Sequence, residues 1–113
     1  MSRRTEQVNS LLREQIGRFL LSNFETSPGV LVTITRVAAA PDLREAKVYI
    51  SVLPENTRGS ILEGLRKAAP EIRRLLYRDM ETHAVPNLIF AIDQAEVQAS
   101  NVEHLLDSLQ DIK

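Results

Sequence analysis

The chain has 113 residues and a net charge of −1, with 43% hydrophobic and 26% charged residues. That is the size of one domain able to bury a core without covalent staples. It contains no cysteine, which excludes disulfides and thiolate metal sites and fits a reducing compartment. No apolar run resembles a signal peptide or approaches a membrane span, so a soluble cytoplasmic domain is expected.

The small net charge hides an asymmetry. Residues 1–78 carry 13 of the 14 Lys/Arg and 8 of the 15 Asp/Glu, whereas residues 79–113 carry one basic and seven acidic residues. A basic body with an acidic tail points to a polyanion-facing surface, or to a tail that neutralises the body within the fold.

From Thr5 to Leu21 the apolar residues Val8, Leu11, Leu12, Ile16, Phe19 and Leu20 fall on one helical stripe, leaving Arg3, Arg4, Arg13 and Arg18 outside it. Residues 23–29, with Asn, Ser, Pro and Gly, end that helix. Val30–Val37 is rich in β-branched residues and reads as a strand. Residues 38–45 read as a connection around Pro41 and Asp42. Ala46–Leu53 alternates, with Ala46, Val48, Ile50 and Val52 on the core face; Thr33, Thr35, Lys47, Tyr49 and Ser51 belong to the outer face of an antiparallel hairpin.

Pro54 stops this strand. Ser60 and Glu63 have the spacing of a capping box, and Thr57 marks the earliest start for the helix that follows. From Ile61 to about Met80 the apolar positions 61, 62, 65, 68, 69, 72, 75 and 76 keep helical spacing on both sides of Pro70. Arg66, Lys67, Arg73, Arg74 and Arg78 gather on the opposite side. Proline removes an intrahelical hydrogen bond, so the stretch reads as a kinked helix or two abutting helices around Ala68, Ala69 and Pro70. Leu88–Ile92 is a short buried strand. Ser100 and Glu103 open a last amphipathic helix carrying Val102, Leu105, Leu106 and Leu109. The order implies an α+β fold: a three-stranded sheet with helices on one face, plus a short C-terminal helix.

Catalysis has little support. His83 and His104 have no second ligand at metal spacing, four scattered glycines make no phosphate loop, and no serine sits in a nucleophile elbow. The carboxylate pairs Asp42/Glu45 and Asp107/Asp111 suit turns and solvated faces. The expectation is no enzyme, no cofactor and no metal. Arginine outnumbers lysine 11 to 3, which suits phosphate recognition. Tyr49 is the one aromatic on the outer sheet face, where stacking-type RNA readers use two or three.

The run Val32–Val37, then Pro41-Asp42-Leu43, Ala46, Val48-Tyr49 and Ser51, resembles the hairpin of the ribosome-binding factor A family. Leu65, Ala68-Ala69, Ile72-Arg73, Leu76, Val85-Pro86, Leu88, Phe90 and Asp93 continue the match in order, and Arg13-Glu14 fits in the first helix. The resemblance covers about residues 3–109. It implies a KH-like fold of type II order, α-β-β-α-kink-α-β, lacking the GxxG loop of ordinary KH domains. It further implies a non-catalytic assembly factor for the immature small (30S) ribosomal subunit. Such a factor assists maturation of the 5′ end region of 16S rRNA, often with importance in the cold. Pro70 stands where the family has glycine, and Thr82-His83 stands where it often has Leu-Arg.

On this reading residues 1–95 form the RNA-binding domain. Residues 96–113 form an acidic amphipathic helix, packed on it or mobile. The expected RNA contacts are Arg66, Lys67, Arg73, Arg74 and Arg78, supported by Arg44, Lys47, Arg3 and Arg4, in a protein that is monomeric when free and does not bind membrane. The alternative is a KH-like interaction or dimerisation module whose basic face docks an acidic protein.

Overall fold

A computed structural model describes residues 3–22, 28–79 and 85–95. The elements are α1 (Arg3–Ser22), β1 (Leu31–Ala39), β2 (Glu45–Leu53), a 3-10 turn (Glu55–Thr57), α2 (Arg58–Asp79) and β3 (Asn87–Ile92). The sheet order is β1-β2-β3, with β1 and β2 antiparallel and β2 and β3 parallel. A parallel pair needs a crossover, and α2 supplies it. The helices share one face of the sheet, α1 against β1 and α2 against β3, and among the described residues the other face is open. This is the expected KH-like α+β architecture.

The core lies between the layers. Leu12 and Ile16 of α1, Ala46, Val48, Ile50 and Val52 of β2, Leu65 and Ile72 of α2, and Phe90 of β3 are almost completely buried. Phe90 is the largest of them, and aromatic burial of this kind dominates the energetics of a small core. Asn9 of α1 accepts a hydrogen bond from the Ala39 N–H at 2.7 Å, which ties the helix to the end of β1. Gly29, with φ of 86°, makes the turn into β1 in a conformation that other residues avoid.

Several expectations change. β1 runs on to Ala39 and β2 begins at Glu45, so the connection shrinks to 40–44. That turn is closed by Ala40 N–H to Glu45 O at 2.8 Å and Leu43 N–H to Ala40 O at 2.9 Å. Asp42 accepts from the Arg44 N–H, and Leu43 sits at φ of 60°. β1 also carries a bulge: Ile34 pairs with Ile50 and Arg36 with Tyr49, leaving Thr35 as the extra residue. Ser60 and Glu63 do not open α2; it starts at Arg58, next to Thr57, the earliest expected start, and leaves Ser60 within its first turn.

α2 is one helix through Pro70, not two. Its buried residues Leu65, Ile72 and Leu76 keep i, i+7, i+11 phase across the proline, so both halves present their apolar side to the sheet. Pro70 is exposed, and the hydrogen bond it cannot donate is the one to the Arg66 carbonyl. The expected C-terminal helix from Ser100, and both histidines, lie outside the described residues.

Candidate nucleic-acid interface

Arg66, Ala69, Pro70, Arg73 and Tyr77 of α2 recur at spacings of three and four, so they line up along one face of the helix. With Arg74 they form one wall of a groove of about 420 Å³, and Asn87 and Leu88 at the start of β3 form the other. Cations stand along its length, and the missing N–H of Pro70 lies in its wall.

The expected contacts divide into distinct roles. Arg66 is exposed at the groove and has no ion-pair partner among the described residues. Arg74 also lines the groove but lies 3.8 Å from Glu71. Lys67 pairs with Glu63 at 3.3 Å. Both pairs are well exposed, so they are weak and give way readily to a phosphate. Arg78 is exposed, one turn beyond Arg74.

Arg73 is different. It is half-buried, its Nε donates to the Val85 carbonyl at 2.9 Å, and its Nη2 donates to the Tyr77 hydroxyl at 3.3 Å. Its guanidinium also lies 5.4 Å from the Tyr77 ring centre. Val85 and Pro86 are buried beneath it. Arg73 therefore fastens the chain leading into β3 to α2 and sets the separation of the groove walls. Tyr77, 42% exposed, was not singled out by the sequence. Its i+4 spacing from Arg73 is the signal that could have found it.

The supporting cations do not join this groove. Arg44 is exposed in the β1–β2 turn, where its carbonyl accepts from the Asn87 N–H at 2.9 Å. Arg3 and Arg4 are exposed at the start of α1, over the opposite edge of the sheet, and Arg3 shares a shallow depression with Glu6 and Glu14. Lys47 stands on the open sheet face. On that face Arg36 lies over Tyr49, with its guanidinium carbon 4.3 Å from the ring centre. Strict alternation from Ile34 would turn Arg36 towards the core, and the bulge at Thr35 turns it out.

Among the described residues no cluster of His, Cys, Asp and Glu could hold a metal ion, and no helix is long and apolar enough to cross a membrane.

Comparison with known proteins gives this geometry a family. A sequence profile described as ribosome-binding factor A matches residues 4–106. The ribosome-binding factor A of Akkermansia muciniphila is 33% identical over 109 residues, covering 96% of this chain and 86% of the relative. That of Bdellovibrio bacteriovorus is 34% identical over 109 residues, covering 96% and 81%. The crystal structure of ribosome-binding factor A from Thermus thermophilus superimposes with a TM-score of 0.67 at 19% identity, over 78% of this chain and 93% of that one. A homology model of the Thermus thermophilus factor, fitted into a cryo-EM map of its complex with the 30S subunit, gives 0.62 at 20% identity over 76% and 91%. The groove, the crossover helix and the hairpin thus sit on a shared scaffold, and the chain belongs to the ribosome-binding factor A family.

Proposed function

We propose that this chain is a non-catalytic ribosome-assembly factor. It binds the immature 30S subunit as a cytoplasmic monomer and assists maturation of the 5′ end region of 16S rRNA. Family membership supports the ribosomal partner. The observation that carries the contact mode is the α2–β3 groove. There Arg66 has no ion-pair partner among the described residues, and Arg74 is held only by an exposed ion pair. Arginines of this kind read a phosphate backbone by charge and shape.

The test is co-sedimentation of the tagged protein with free small subunits and with assembled ribosomes across a salt series. Retention on free small subunits is expected, with log affinity falling by roughly 0.7–0.9 per phosphate neutralised for each unit of log salt. Arg66→Glu combined with Arg74→Glu should abolish it. A flat salt response, or unchanged binding by that variant, sinks the groove as the contact surface. A captured partner that survives complete RNA digestion would favour a protein-docking module. Depletion of the factor in its host should accumulate 16S precursors extended at the 5′ end; correct ends would remove the processing role.

A further inference from the structure

The outer sheet face carries chemistry that the groove does not use. No described helix covers it, and its centre is the Arg36–Tyr49 stack. The stack depends on an irregularity, since only the bulge at Thr35 brings Arg36 outward opposite Tyr49. Bulges are used in this way to re-aim a side chain. Arg36 is exposed and Tyr49 half-buried, with the guanidinium carbon over the ring, so the guanidinium is reachable from solvent. Lys47, two residues from Tyr49 on the same strand and face, lies about 7 Å along the sheet. Neither Arg36 nor Lys47 has a carboxylate within ion-pair distance among the described residues, unlike Arg18, Arg58, Lys67 and Arg74. The acidic neighbours are Glu45 at the start of β2 and Asp93 after β3. Asp93 is engaged by the Thr35 hydroxyl and the Ala95 N–H.

We infer that this face is a second RNA contact, taking one unpaired nucleotide with its base stacked on the Arg36 guanidinium and its phosphate on Lys47. Unstacked bases settle on arginine planes as well as on aromatic rings. Tyr49 backs the guanidinium at 4.3 Å, so a face with one aromatic offers a platform for one base instead of a run of two or three. Two cations with no carboxylate at ion-pair distance among the described residues, beside a planar guanidinium, fit a nucleotide better than an apolar partner. The proposal rests on the RNA-binding reading above and deepens it.

The experiment is an NMR titration of the whole chain with a six-nucleotide adenosine RNA, following the Arg36 Nε–H and the Tyr49 ring. Polyglutamate of equal charge is the control. Saturable upfield shifts at both groups are expected with RNA only. Arg36→Lys keeps the charge and removes the plane, and should weaken binding roughly fivefold or more. Tyr49→Phe keeps the ring and should bind within roughly twofold of the parent. Shifts confined to Arg66, Tyr77 and Asn87, with Arg36→Lys binding like the parent, would overturn the platform and leave the groove standing. Equal shifts with polyglutamate, or none with RNA, would overturn it too; small-subunit sedimentation then judges the groove separately.

Discussion

The Thr35 hydroxyl donates to Asp93 Oδ2 at 2.6 Å, joining residues 58 positions apart at opposite edges of the sheet. The same oxygen lies 3.3 Å from the Tyr49 carbonyl, and the Asp93 N–H donates to the Ile50 carbonyl at 2.9 Å. The extra residue of the bulge thus fastens β1, β2 and the end of β3 together. Thr35→Val keeps the shape and removes the donor. It should cost about 1–2 kcal/mol, read as a lower urea midpoint at unchanged slope. Thr35→Ser should recover most of the loss.

Arg73 and Arg66 look alike in sequence and should behave oppositely. Arg73→Met removes the bond to Val85 O and should cost about 1–2 kcal/mol in urea unfolding. Arg66→Met should stay within about 0.5 kcal/mol, as exposed substitutions do. On the small subunit the contrast reverses. Arg66→Met should lower the salt slope by roughly 0.7–0.9, while Arg73→Met should weaken binding with the slope unchanged, because it positions the groove and neutralises no phosphate.

Phe90 fills the centre of the core and is fully buried. Phe90→Ala should cost about 3–5 kcal/mol, a large share of the stability of a domain this size. Circular dichroism during thermal unfolding would show the transition move sharply down.

Pro70→Ala restores a donor to the Arg66 carbonyl in a helix that is already continuous. A gain of about 1–3 kcal/mol is expected, because an interior proline costs a helix about 3 kcal/mol or more and the surroundings have accommodated part of that. The variant's backbone should superimpose on the parent, since the buried stripe from Leu65 to Leu76 holds both halves against the sheet. Weaker small-subunit binding by this more stable protein would assign the proline to the contact surface.

Much of the fold was legible because its signals are periodic. Ala46, Val48, Ile50 and Val52 alternate, and all four are buried; Val8 to Leu20 fall on the face of α1 that meets the sheet. What stayed hidden depends on single irregularities or on partners distant in sequence. Nothing local distinguishes Thr35 as a bulge residue, so Arg36 could not be assigned to the outer face. Arg73 reads as one cation among five, because Val85, twelve positions later, carries the carbonyl that claims it. The β1–β2 turn was overestimated for a related reason: Ala38 and Ala39 carry little strand propensity, and pairing with Lys47 and Ala46 keeps them in β1.

The parallel pairing of β2 with β3 has a kinetic consequence. Five residues, 40–44, separate β1 from β2, whereas 33 residues, 54–86, separate β2 from β3. For flexible connections the longer closure costs about 1.7 kcal/mol more entropy. The hairpin is therefore expected to pair before β3, which closes the sheet last. Asn87 and Leu88 belong to that late strand, and the Arg73–Val85 fastening forms with it. The groove is accordingly expected to be the part of the domain that closes last and opens first. Amide exchange along β3 should outpace exchange along β2, and bound RNA should slow it there most.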